Sequence, residues 1–110
     1  MYGDIIGQCD AWKQADFKRV TADTLITKKP CYVFHAKLLS SSGGVGSAYL
    51  RDGVDTNGDI KIELGAPTSD LDVNSYPWPV YFKNGLFIDA VSNVTSVQVL
   101  YMIEPKKAKE

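Results

Sequence analysis

Several chemistries are excluded because the sequence contains few of the residues that they need. Histidine occurs once, at His35, and cysteine occurs only at Cys9 and Cys31. Two cysteines and one histidine do not supply the four protein ligands of a structural zinc site. We expect two reduced, partly buried thiols, and a single disulfide is the alternative. We therefore predict no metal site and no cofactor.

The chain also has little net charge and no long apolar run. Its 12 Lys and Arg nearly balance 13 Asp and Glu, which leaves a formal net charge of −1. That balance gives no electrostatic reason to bind nucleic acid or an anionic membrane. No stretch approaches the roughly 18 apolar residues that a membrane span requires. Residues 1–8 have no basic region before an apolar core, so we expect no signal peptide.

No group of residues has the arrangement of a catalytic site. His35 lies in an alternating pattern typical of a strand, which predicts a surface or packing role. The serines at 40–42 lead into glycines rather than into the strand-to-helix turn of a nucleophile elbow. Residues 55–59 lack the glycine and glutamate positions of a calcium loop. We predict no catalytic residues and a protein that is not an enzyme.

From residue 30 onward, apolar residues recur with a period of two, which is typical of strands with one buried face. The predicted inward sets are Tyr32, Phe34, Ala36 and Leu38; Ile60, Ile62 and Leu64; Leu86, Ile88 and Ala90; and Val97, Val99, Tyr101 and Ile103. Two further short strands are predicted over residues 46–51 and 79–82. Hydrophobic residues make up 45% of the 110-residue chain, a composition ordinary for one globular domain.

Turn signals separate these strands. The pairs Asn57-Gly58 and Asn84-Gly85 predict tight turns, and residues 67–74 and 92–96 predict loops. Turn signals spaced roughly every 8–12 residues are typical of an antiparallel sandwich or barrel. We predict an all-β protein with a single antiparallel β-sandwich, for which a jelly roll is one candidate topology. Residues 1–29 are predicted as an irregular N-terminal arm or edge segment, 30–104 as the sandwich core and 105–110 as a solvated tail.

Two groups of apolar residues are candidates for protein contact. Trp78 stands between prolines in the aromatic segment 76–82. We favour the interpretation that it plugs an open end of the core, with an exposed patch for a sugar or a protein as the alternative. The N-terminal arm must bury its apolar side chains on its own domain or on a neighbour, and we favour a neighbour. The candidate protein-contact residues are Ile5, Ile6, Trp12, Phe17, Tyr76 and Trp78.

Four segments carry a resemblance to a known group of proteins. They are residues 33–39 before a glycine loop, residues 58–64, residues 79–89 and residues 93–101. A proline-led strand, an Asn-Gly turn and a final Thr-x-Val-x-Val strand are the distinctive features. Over residues 32–102 the chain resembles small virion structural proteins of tailed bacteriophages.

The resemblance implies a non-enzymatic protein that decorates or cements a capsid shell. Its partners would be the major capsid protein or other virion subunits, and its location the virion, assembled in the host cytoplasm. A small sandwich has edge strands that need cover, and a homo-oligomer, either a trimer or a dimer, would provide it. The alternatives are a tail, neck or fibre module and a carbohydrate-binding sandwich that uses Tyr76, Trp78 and Tyr81 as stacking platforms.

Overall fold

A computed structural model describes residues 15–104, which form eight β-strands. The strands are β1 (Asp16–Val20), β2 (Thr24–Thr27), β3 (Cys31–Ser40), β4 (Gly46–Asp52), β5 (Asp59–Ala66), β6 (Leu71–Phe82), β7 (Leu86–Ser92) and β8 (Val94–Ile103). Within residues 15–104, no helix has the length and apolar character needed to cross a membrane.

The strands form two four-stranded antiparallel sheets. Sheet A has the order β1-β8-β3-β6, and sheet B has the order β2-β7-β4-β5. The pairs are nested along the chain: β4 with β5, β3 with β6, β2 with β7, and β1 with β8. Two facing sheets built from this nested pairing are a jelly roll. The predicted all-β sandwich is confirmed, and the strand order selects the jelly-roll topology.

The core consists of apolar side chains that both sheets send into the space between them. Phe82 is its largest fully buried side chain. The fully buried residues around it are Cys31, Val33, Ala36, Leu38, Ala48, Leu50, Leu86, Ile88, Val97 and Val99. Close-packed side chains of this kind supply most of the stability of a small domain.

In β8 the predicted alternation is confirmed. Val97 and Val99 are fully buried, Tyr101 is 8% exposed, and Ile103 packs against the core. In β7, Leu86 and Ile88 are likewise fully buried, whereas Ala90, the third residue of the predicted inward set, is only partly buried.

In β3 the first half of the prediction is wrong, because the strand contains a bulge. Cys31 and Val33 are fully buried, whereas Tyr32 and Phe34 are only partly buried. The register shifts between Val33 and His35 against both neighbouring strands. An extra residue in one strand reverses which side chains face inward. Beyond the bulge, the remaining two members of the predicted inward set are fully buried.

A second register shift explains an error in β5. Ile62 and Leu64 are buried as predicted, but Ile60 is 42% exposed. The pairing with β4 shifts between Leu50 and Arg51, so Ile60 lies beyond the regular alternation.

The two Asn-Gly pairs have different roles. Asn57-Gly58 lies in the hairpin between β4 and β5, but the predicted tight turn is wrong, because the connection is residues 53–58 and neither residue has a positive φ. The Asp55 carboxylate accepts a 2.9 Å hydrogen bond from the backbone N–H of Asn57. Asn84-Gly85 instead carries the chain from sheet A to sheet B. Gly85 has a φ of 121°, and a Cβ there would lie 2.7 Å from the Thr27 carbonyl oxygen. The predicted loop over residues 67–74 is shorter than expected, because β6 starts at residue 71.

The edges formed by β5 and β6 resist pairing with another strand. On β5, the outward amide of Gly65 donates a 3.0 Å hydrogen bond to the Asp72 carboxylate. On β6, Pro77 and Pro79 have no N–H group to offer a further strand. Contacts with other molecules are therefore more readily made through the faces and ends of the sandwich than along these edges.

We expect Leu38→Ala to lower the free energy of unfolding by about 2–5 kcal/mol, because it opens a cavity in a close-packed core. The matched variant Leu71→Ala should change it by under about 1 kcal/mol, since Leu71 is 50% exposed. Urea unfolding followed by circular dichroism measures both. Equal losses in the two variants would contradict this assignment of the core.

Candidate contact surface

The outward side of sheet A exposes large apolar side chains. We call this surface the sheet A outer face. Its outward positions are Phe17, Arg19, His35, Lys37, Leu39, Leu71, Val73, Ser75, Gln98 and Leu100. Phe17 is 58% exposed and lies opposite Leu100. Leu71 and Val73 are about half exposed on β6, and Leu71 lies opposite Leu39.

The charged side chains at these ten outward positions have one sign. Arg19 and Lys37 are its charged residues, and both lie opposite Gln98. None of the ten outward positions is an aspartate or a glutamate. The face therefore combines apolar area with cationic side chains.

An aromatic pair closes one end of this face. The Tyr32 and Tyr81 rings have centroids 5.0 Å apart. Both hydroxyls donate to the Glu104 carboxylate, at 3.3 Å from Tyr32 and 3.1 Å from Tyr81. Burial first, and then the neighbouring carboxylate, raises the pKa of both tyrosines. Both phenols therefore stay protonated and remain hydrogen-bond donors.

His35 and Ser75 meet on the same face. The His35 Nδ1 lies 2.8 Å from the Ser75 Oγ, a distance at which a histidine could activate a serine. A catalytic histidine is normally oriented by a carboxylate on its other nitrogen. No carboxylate of residues 15–104 bonds to His35, so the pair lacks that third group.

The interpretation that Trp78 plugs the core is wrong. Its side chain is 87% exposed. The aromatic residues of the same segment that reach the core are Phe82, which is fully buried, and Tyr76, which is partly buried against it.

The exposure of Trp78 follows from a local departure of β6 from its partner. The regular pairing with β3 stops at Ser75 and resumes at Val80, so four residues of β6 face the single residue Phe34. Extra residues in one strand bend it and re-aim its side chains. Trp78 lies within this excursion.

Cys31 is a free, fully buried thiol. Burial, and to a smaller extent the Asp52 carboxylate, raises its pKa to about 12. The thiol is therefore protonated at neutral pH and unsuited to act as a nucleophile. Cys9 lies outside the described residues.

Of the other predicted contact residues, Phe17 belongs to the sheet A outer face, and Ile5, Ile6 and Trp12 lie outside the described residues. Sequence reasoning missed Leu71 and Val73, because residues 67–74 read as a polar loop. Leu71 and Val73 alternate with polar residues, and this period of two could have predicted a strand.

Sequence reasoning also missed an ion pair on sheet B. The Arg51 Nε lies 3.0 Å from the Asp89 carboxylate, and its Nη1 donates to the Gly58 carbonyl at 2.9 Å. The guanidinium lies 5.5 Å from the centre of the Tyr49 ring. These contacts satisfy the charge and hold the β4–β5 hairpin, so this cluster has a structural role.

Together, the fold and the face define a jelly-roll sandwich with an apolar, cationic surface. No family model and no curated protein matches the chain. Among solved structures, the chain is similar to the coat protein of tobacco streak virus, with 10% identity and a TM-score of 0.37. The match covers 88% of this chain and 92% of the coat protein chain. A likeness of this size carries no argument about function.

In a Trp12→Phe background, Trp78 is the single tryptophan. We expect its fluorescence to resemble that of tryptophan in water and to be quenched freely by acrylamide, because the side chain is 87% exposed. The Trp78→Ala variant should unfold within about 0.5 kcal/mol of its parent. A shielded emission from the monomer, or a large loss of stability, would contradict this placement.

Cys31 should make the protein less stable in alkali. Its pKa is about 12 in the folded protein against 9.0 as the unperturbed value, so above pH 9 the unfolded chain loses a proton that the folded chain keeps. The contribution of the protonated Cys31 thiol to the free energy of unfolding is therefore complete below pH 9 and is lost as the pH rises towards 12. Both proteins are compared in a Cys9→Ser background. Above pH 9, the free energy of unfolding of the protein that keeps Cys31 should fall with pH more steeply than that of the Cys31→Ala variant, and the two slopes should differ by about 1.4 kcal/mol per pH unit. Parallel curves above pH 9 would refute the expectation.

Proposed function

We propose that this protein is a non-enzymatic structural subunit of a phage virion that decorates or cements the capsid shell. The observation that carries the proposal is the 87% exposure of Trp78 on the outward excursion of β6. Tryptophan is enriched among the few residues that dominate binding energy at protein interfaces. The resemblance of residues 32–102 to virion proteins of tailed phages gives this contact its context.

The backbone around Trp78 suits a preformed contact. Prolines at 77 and 79 restrict the main chain on both sides of Trp78, and the excursion is anchored where pairing with β3 stops at Ser75 and resumes at Val80. A main chain that is restricted before binding loses less conformational entropy when its side chain binds. Trp78 is therefore proposed as the anchor to the shell, with the major capsid protein or another virion subunit as the partner.

The proposal includes a homo-oligomer, a trimer or a dimer, located in the virion and assembled in the host cytoplasm. The N-terminal arm is proposed to tie the sandwich to the shell or to a sister subunit. Because Asp16–Val20 and Thr24–Thr27 are strands of the two sheets, a deletion that tests the arm should stop at residue 14.

We expect Trp78→Ala to weaken attachment to the shell by about 30-fold or more, the effect of removing an interface hot spot. Trp78→Phe should retain part of the binding, because it keeps an aromatic ring. Val45→Ala, at a position that is 65% exposed in another loop, is the surface control. Co-sedimentation with phage capsids that lack this subunit measures all three. Unchanged attachment of Trp78→Ala would overturn the proposal.

A tail, neck or fibre module is the alternative position within a virion. Copy number separates the two, because a shell protein is present in many copies and a tail module in few. Quantitative mass spectrometry of purified particles gives this ratio.

A carbohydrate-binding sandwich is the alternative outside the virion. The exposed ring of Trp78 could stack on a sugar, which favours this alternative. The other two candidate rings have contacts within the domain: Tyr76 packs against the core, and the Tyr81 hydroxyl donates a hydrogen bond to Glu104. Glycan binding that Trp78→Ala removes without unfolding the domain would favour this alternative over the shell.

A further inference from the structure

The sheet A outer face is too apolar to be explained by the fold of one copy. Phe17, Leu71 and Val73 are all at least half exposed on it. Exposed apolar area of this kind in a soluble protein usually marks an interaction site. The question is which segment or partner covers it.

Residues 1–14 have the complementary chemistry. They contain the apolar residues Ile5, Ile6 and Trp12, and their side-chain charges are Asp4, Asp10 and a single lysine. The ten outward positions of the face carry cationic side chains and no carboxylate, and the Glu104 carboxylate at its end already accepts hydrogen bonds from the Tyr32 and Tyr81 hydroxyls. The segment therefore matches the face in hydrophobicity and, through one net negative side-chain charge, in the sign of its charge.

The segment is also attached in the right place and is long enough. It joins the described chain at Ala15, next to β1, which is an edge strand of sheet A. Fourteen extended residues span about 46 Å at about 3.3 Å per residue. Four strands spaced about 4.8 Å apart are only about 14 Å across. The segment can cross a whole face of this size.

The direction of β1 favours the face of a neighbour. Asp16 lies opposite Tyr101 and Val20 opposite Val97, so the chain enters β1 at the end of the sheet where β8 finishes. To cover its own outer face, the segment would have to reverse direction next to Ala15. To reach a neighbouring copy, it needs no reversal.

We infer that residues 1–14 of one copy bind the sheet A outer face of a second copy. Each copy then donates one segment and accepts one, which two copies achieve by reciprocal exchange in a two-fold dimer and three copies achieve in a closed ring. This inference rests on the homo-oligomer part of the proposed function and not on attachment to a capsid.

The full-length protein should associate reversibly, as measured by light scattering after size exclusion over a dilution series. Val73→Asp places a carboxylate on the face, and we expect it to raise the dissociation constant by about 30-fold or more. Val91→Asp is the matched control, because Val91 is similarly exposed, at 46% against 51% for Val73, but lies on sheet B. It should associate like the wild type.

The segment is tested from its own side with Ile5→Ser/Ile6→Ser, which should weaken association to a similar extent. A fluorescent peptide of residues 1–14 should bind to this full-length variant, whose face is vacant, and should not bind when Val73→Asp is added. In a Trp78→Phe background, the emission of Trp12 should shift to longer wavelength as the oligomer dissociates on dilution.

A wild-type chain that stays monomeric would overturn the inference, as would an oligomer that Val73→Asp or the double isoleucine variant leaves intact. A monomer with shielded Trp12 would show that the segment covers its own face instead. Attachment to capsids is measured separately. A monomer that still attaches through Trp78 would refute the inference and leave the proposed function standing.

Discussion

The bulge in β3 decides which side chains of sheet A are buried and which reach solvent. β3 is the strand between β8 and β6, so a change in its phase affects both neighbours. Before the bulge, Cys31 and Val33 face the core; after it, Ala36 and Leu38 do. Tyr32 and Phe34 are left partly exposed as a result. The excursion of β6 lies opposite the same point, so the position of Trp78 depends on this one irregularity.

The sequence was informative wherever the strands are regular. The period of two over residues 97–103 of β8 predicted its buried residues correctly, because the extra residue of the bulge lies in β3 and consecutive residues of β8, Leu100 and Tyr101, pair on either side of it. The Asn57-Gly58 pair correctly placed a hairpin between β4 and β5, although neither residue adopts the positive φ on which a tight turn of this kind depends. Composition and periodicity together were enough to predict an antiparallel sandwich.

The errors have a common physical cause. The position of a bulge depends on how two strands pair, and the local sequence pattern of one strand does not contain that information. The bulge in β3 therefore reversed the predicted burial of Tyr32 and Phe34. Asn84-Gly85 has the same turn chemistry as the other pair but links two different sheets. Trp78 looked suited to the core because large aromatics are usually buried. Its exposure depends on four residues facing one across a sheet, which only the pairing shows.

The nested pairing of the jelly roll has a consequence for synthesis. β4 and β5 are neighbours in sequence and can pair as a local hairpin, whereas β1 must wait for β8, because Asp16 lies opposite Tyr101. Contacts between distant parts of a chain form slowly, since the intervening loop must first close. β1 therefore cannot take its place until the ribosome has released β8. A nascent chain cannot complete sheet A before β8 has been synthesised. Contacts that need the complete sheet therefore form only after translation of β8.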